Sequence, residues 1–209
     1  MYKAVLHDHL DGGLRASTAK ELAIKDNYLP LIDVDDIESF FNRESSESLE
    51  DYLEAFVHTT ALMNSYVNLE RIAFEAAEDM HNHGITHYES RYAPLYSVSN
   101  SLTPEDVIDA INSGFKQAED LYGIKSGLIL CGMRYDLNNV KQVSEIAIDY
   151  KDKIIGFDIA GPEFNYLPSL FRDVFNKLVE NSVNLTIHAG EGDGVNSIQE
   201  ALDNGAKRI

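Results

Sequence analysis

The sequence is poor in cysteine. Cys131 stands alone among 209 residues, so the chain can form no internal disulfide and no cysteine-rich metal site. It has no run of 18 apolar residues, the length a membrane-spanning helix needs. Met1-Tyr2-Lys3 leads straight into an apolar stretch with histidines, which lacks the pattern of a signal peptide. Basic residues are also few: 17 Lys and Arg stand against 35 Asp and Glu, a formal net charge of −18. With no Lys/Arg cluster and a field that repels phosphates, no nucleic-acid partner is expected. The excess acid reads as a solvated surface. Low-complexity tracts, solenoid repeats and an interdomain linker are missing too. The expectation is a cytoplasmic globular protein with no membrane partner.

Enough apolar residues are present for a core. Hydrophobic residues make up 44% and charged ones 25%, and a chain of this length can bury roughly 70% of its unfolded surface. Short Val/Ile/Leu runs at 4–10, 85–92, 126–133, 154–159 and 184–189 read as strands. Thr18 and Glu21 fit a capping box opening a helix, 33–47 reads as an acidic loop, and a helix from Ser48 carries Tyr52, Leu53, Phe56 and Val57. Leu69, Ile72, Ala73, Ala76, Ala77 and Met80 form one helix face that Gly84 stops. Thr103-Pro104-Glu105-Asp106 opens another helix, ended by Gly123. Val140, Val143, Ile146 and Ala147 mark the next. Leu170, Phe171, Val174, Phe175, Leu178 and Val179 give the cleanest apolar face, and Ile198, Ala201 and Leu202 mark a short last helix. Strand alternating with helix five times implies parallel strands with right-handed crossovers. Either an open doubly wound sheet or part of a (β/α)8 barrel fits, the full barrel needing about 250 residues and eight units. Lys207-Arg208-Ile209 reads as the start of a sixth strand.

In both architectures chemistry sits at the carboxyl ends of the strands. Those ends carry His7-Asp8-His9-Leu10-Asp11, Glu89-Ser90-Arg91, Asp158-Ile159-Ala160-Gly161 and His188-Ala189-Gly190-Glu191. Along a strand, His7, His9 and Asp11 share one face, with Leu6, Asp8 and Leu10 on the other. His7 and His9 can share one ion or form a hydrogen-bonded core pair, and His188 at another strand end favours the ion, because a zinc ion satisfies all three imidazoles and leaves a position for water. A second His-x-His, His81 and His83, lies at a helix end where the two side chains diverge, so it reads as a pair of helix-terminal cations. Glu191 is placed for proton transfer, or is a solvated loop acid. Gly190, Gly192 and Gly194 fit neither Gly-x-Gly-x-x-Gly nor a Walker loop and read as room for a ligand. Glu89 and Arg91 fit an internal ion pair, and Cys131 fits a small core residue.

These segments, with Ser48-Leu49-Glu50-Asp51-Tyr52-Leu53-Glu54-Ala55-Phe56 and Tyr88-Glu89-Ser90-Arg91-Tyr92-Ala93-Pro94, resemble the adenosine deaminase family of the metal-dependent amidohydrolases along the whole chain. The resemblance implies an α/β fold, a (β/α)8 TIM barrel of which about five βα units are present, with a helical lid between strands 1 and 2. Residues 1–209 would then be a single catalytic barrel domain, truncated at its C-terminus. It implies one Zn2+ per chain on His7, His9 and His188, with Glu191 as proton donor to purine N1. Asp11 would bind the ribose hydroxyls, the Gly161 N–H would meet N3, and His9 would border the substrate. Leu49, Tyr52, Leu53 and Phe56 would lie on the lid over the nucleoside. The implied reaction is zinc-dependent hydrolytic deamination of adenosine, and of 2′-deoxyadenosine, to inosine or deoxyinosine and ammonia. The family's sixth-strand Gly-His-Gly and eighth-strand Asp-Asp lie beyond Ile209, so the 209 residues alone are expected to be inactive. The alternatives are a related amidohydrolase acting on adenine, AMP or a modified nucleoside, and a non-catalytic nucleoside-binding remnant.

Overall fold

A computed structural model describes residues 2–42 and 55–209. The chain divides into two compact units, Met1–Ser90 with Tyr96–Gly127, and Arg91–Leu95 with Leu128–Ile209. Its named strands are β1 (Ala4–Val5), β2 (His87–Tyr92), β3 (Lys125–Met133) and β4 (Gly156–Ala160), with sheet order β1-β2-β3-β4. Among the described residues no helix is long and apolar enough to cross a membrane.

In the first unit β1 runs parallel to β2, Ala4 opposite His87 and Val5 opposite Tyr88. The strand expected over 4–10 is therefore shorter. Beyond Val5 the backbone leaves this ladder for a turn in which Gly12 and Gly13 N–H both donate to His9 O, at 2.9 and 3.1 Å. Helix α1 (Ala16–Lys25) starts at Arg15 without a side-chain cap. The expected Thr18/Glu21 capping box does not form, because Thr18 lies inside the helix, buried, and its hydroxyl donates to Glu75 Oε2. Glu21 instead meets Arg71 at 2.7 Å. The stretch expected as loop holds a short helix α3 (Ile37–Phe41), following α2 (Leu29–Ile32). Asp36 caps α3 by accepting the Ser39 N–H at 3.0 Å.

Helix α4 (Phe56–Leu62) begins at Phe56; Leu49, Tyr52 and Leu53 lie outside the described residues. Helix α5 (Tyr66–Asn82), capped by Ser65, buries Leu69, Ile72, Ala73, Ala76 and Ala77, the face anticipated from their spacing. Gly84 follows with φ +76°, a value only glycine adopts at no steric cost. Helix α6 (Pro104–Tyr122) opens on the full Thr103/Asp106 capping box and ends at Gly123, φ 76°. The two helices approach closely at Gly114, where a Cβ would sit 2.2 Å from Glu70 O and 2.7 Å from Phe74 N.

In the second unit β3 and β4 pair in parallel from Ile129–Gly156 to Met133–Ala160. Helix α7 (Leu137–Asp149) is capped by Asp136, whose carboxylate accepts from the Asn138 and Asn139 N–H groups. Helix α8 (Arg172–Glu180) buries Val174, Phe175 and Leu178, with Phe171 buried in the 3-10 turn before it. Leu170 and Val179, counted in that face from the sequence, are exposed. Leu170 lies in the 3-10 turn before the helix and Val179 in its last turn. Helix α9 (Gly194–Asp203) buries Ala201.

The fifth strand expected over 184–189 pairs only as single parallel bridges, Leu185 with Phe157 and Thr186 with Arg208. Ile187 N–H donates to Arg208 O at 3.2 Å and Lys207 N–H to Leu185 O at 2.9 Å. Residues 207 and 208 thus pair in parallel with the 184–189 segment.

Gly114→Ala is expected to destabilise the protein by about 1–3 kcal/mol, since the added methyl meets backbone rather than a flexible side chain. Denaturant unfolding measures this, and an unchanged midpoint would contradict the close crossing.

Candidate functional site

In the first unit the candidate residues follow the end of β1. The rings of His7 and His9 lie 5.5 Å apart, tilted by 46°. His9 also meets the edge of Phe56, the first residue of α4, at 6.4 Å and 86°. Asp8 accepts the hydroxyls of Tyr88 and Ser90, the latter at 2.8 Å, and Leu10 is fully buried. Asp8 is thus fastened to β2.

Asp11 is buried, and its Oδ1 has no hydrogen-bond partner among the described residues. Burial raises its pKa to about 7; the charge of Asp8 adds to this, and its own and the Gly12 backbone N–H oppose it. An acceptor left open in this way favours a donor from outside the chain.

In the second unit the candidate residues lie at the ends of β4 and of the 184–189 segment. Asp158 is fully buried. Its Oδ2 lies 2.7 Å from His188 Nδ1 and accepts Arg91 Nη1, and its Oδ1 accepts the His188 backbone N–H at 3.1 Å. Burial alone would raise the carboxyl pKa, but His188 and Arg91 outweigh it and hold it at about 2. Arg91 pairs with Asp158, and Glu89 Oε1 meets His87 Nε2 at 3.0 Å. Gly161 follows β4 with φ +99°.

Glu163 was not singled out by the sequence, yet it organises the loop that carries Glu191. Its Oε1 accepts the Gly190 N–H at 2.7 Å and the Ser197 hydroxyl, and its Oε2 accepts the N–H groups of Gly192 and Asp193 at 2.6 and 3.1 Å. The glycine-rich loop is therefore an anion nest whose anion belongs to the chain. Burial pushes the Glu163 pKa up, and the four donors more than reverse this, to about 2. Gly190 has φ +86°, and a Cβ there would lie 2.6 Å from Ile198 Cδ1. Glu191 itself is exposed.

The second His-x-His lies at the end of α5, as its position in the sequence suggested. His81 stacks on Tyr122 at 4.8 Å and 17°, and His83 Nδ1 lies 2.7 Å from Asp79 O. Cys131 is buried in mid-strand, as expected.

A family model described as adenosine deaminase matches residues 2–209. The chain belongs to the adenosine deaminase family. Curated relatives include the adenosine deaminase of Mycobacterium ulcerans, 40% identical over 96% of this chain and 58% of its own length. Adenosine deaminase 1 of Streptomyces coelicolor is 41% identical over 96% of this chain and 52% of its own. The chain thus spans little more than half the length of these relatives. Among solved structures, adenine deaminase from Arthrobacter aurescens superposes with a TM-score of 0.85 at 23% identity, covering 96% of this chain and 61% of its own. A zinc-bound amidohydrolase from Burkholderia ambifaria superposes with a TM-score of 0.83 at 26% identity, covering 97% and 56%. The fold is that of an incomplete TIM barrel of the adenosine deaminase type, which decides between the two architectures the sequence left open.

Asp158→Ala strands the buried Arg91 charge and is expected to cost about 3–5 kcal/mol of stability, measured by denaturant unfolding. Glu163 makes a separate, pH-dependent contribution. Its folded pKa lies below the ordinary 4.5, so its stabilisation is complete above that value and is lost as pH falls from 4.5 toward 2. Glu163→Gln should flatten this part of the stability–pH curve, and an unchanged curve would contradict the nest.

Proposed function

We propose that the protein to which this chain belongs is a zinc-dependent adenosine deaminase, hydrolysing adenosine and 2′-deoxyadenosine to the inosine products and ammonia. Residues 1–209 would be part of its single catalytic barrel domain, and the protein would act in the cytoplasm on a free purine nucleoside. The observation that carries this reading is the His188–Asp158 pair in a chain of this family. A carboxylate against Nδ1 orients the ring and leaves Nε2 as the ligating nitrogen, a recurrent arrangement behind metal-binding histidines. His7, His9 and His188 are the imidazoles that would hold the ion, and an all-nitrogen set suits zinc. When bound, zinc brings the pKa of a coordinated water down to about 7 and so supplies a nucleophile at neutral pH.

The chain's own residues would do the rest. Glu191 would hold a proton for purine N1, letting charge leave the ring as the C6 centre becomes tetrahedral. The open Oδ1 of Asp11 would accept from a ribose hydroxyl. The Gly161 N–H would donate to N3, and Phe56, beside His9, would cover the base together with the lid residues Leu49, Tyr52 and Leu53. Arabidopsis relatives in fold were solved with GMP and IMP. A bare nucleoside is favoured here over AMP, because Glu163 already occupies the N–H donors of the glycine-rich loop.

Because the relatives are nearly twice as long, the 209 residues alone are expected to release little or no ammonia. The full-length gene product should deaminate adenosine and 2′-deoxyadenosine in preference to adenine and AMP in a side-by-side assay. In it, Glu191→Gln should lower kcat by about 100- to 10,000-fold with bound metal unchanged. Full turnover in that variant would refute the proton-donor role, and a protein that binds nucleoside without turning it over would be a non-catalytic remnant.

A further inference from the structure

We infer that Glu163 is a positioning residue that braces the backbone on either side of Glu191 and so sets where that side chain stands. The inference rests on the reading of Glu191 as proton donor. Its geometric basis does not: the amides that Glu163 fixes are Gly190, immediately before Glu191, and Gly192 and Asp193, immediately after it. Glu191 is exposed and has freedom of its own, so its reach is governed by the backbone it hangs from. Gly190 and Gly194, both at positive φ, flank a segment with little intrinsic stiffness. The carboxylate supplies the missing constraint, and it is tied in turn to α9 through the Ser197 hydroxyl, a side chain with no exposed surface.

The requirement is for an anion with two equivalent acceptor atoms. Three N–H groups and one hydroxyl converge on two oxygens, two donors to each. Glutamine keeps the shape but offers one oxygen, and its NH2 group faces donors whichever way it turns. Either Gly190 loses its acceptor, or Gly192 and Asp193 lose theirs. The brace should then loosen without the loop losing its side chains.

The test uses the full-length gene product. In Glu163→Gln, hydrogen exchange over the peptide containing Gly190, Gly192 and Asp193 should quicken by about tenfold or more, while peptides from β3 and α7 stay as in wild type. With adenosine, kcat should fall by about 10- to 100-fold, as for a misplaced catalytic group, while KM moves less than about twofold. Glu163→Gln added to Glu191→Gln should cost less than about twofold more, because the brace acts through a group already removed. Should Glu163→Gln fail to fold, Ser197→Ala removes one donor and should shift exchange and kcat in the same directions by smaller factors. Unchanged loop exchange, faster exchange with intact kcat, or multiplicative losses in the double variant would each overturn the inference. A wild-type protein that deaminates nothing would contradict the deaminase reading instead, and loop exchange would then decide the brace by itself.

Discussion

Asp158 is a carboxylate with no exposed surface, and a buried anion is tolerated only where cations and donors surround it. Arg91 and His188 meet that demand together, and the His188 backbone contributes a third contact. The consequence runs outward from the charge. β2 must deliver an arginine to the end of β4, and the 184–189 segment must lie so that both its backbone and its imidazole face the same carboxylate. The imidazole is thereby held against a carboxylate, an arrangement that recurs behind metal-binding histidines.

Other acids repeat the theme with different outcomes. Asp8 is satisfied by two hydroxyls from β2 and ties down the turn that carries His7 and His9. Glu163 is satisfied by three amides and a hydroxyl, and converts a glycine-rich loop that could hold a foreign anion into a rigid support. Asp11 differs, because it is buried with one oxygen that no described residue meets and with its pKa raised to about 7. Satisfied acids build the frame, and the unsatisfied one marks where the frame expects company.

Much of this was legible in the sequence wherever the signal is local. The helix start at Thr103-Pro104, the stops at Gly84 and Gly123 and the buried face from Leu69 to Ala77 depend on residues a few positions apart, and all appear as read. Local signals also misled. Thr18 and Glu21 have capping-box spacing, but tertiary partners Glu75 and Arg71 claimed both side chains. The short α3 was hidden in acidic sequence because its stability comes from one cap and its surroundings rather than from periodicity. The 184–189 strand was placed correctly, although it pairs only at single bridges.

For the candidate site, the motifs at the strand ends were visible because barrel chemistry gathers there. Their supporting partners were not. Glu163 lies 27 to 34 residues from Gly190 and Ser197, and Asp158 lies 30 from His188. No spacing rule connects residues so far apart, and only the fold brings them together.

The central claim is that His7, His9 and His188 serve one divalent ion. The direct measurement is metal content of the full-length gene product, purified without chelator and supplied with zinc, beside its His188→Ala variant. One equivalent in the wild type and a loss of retained zinc in the variant is the predicted result. A wild type that holds no ion, or a variant that holds it equally well, would contradict the account.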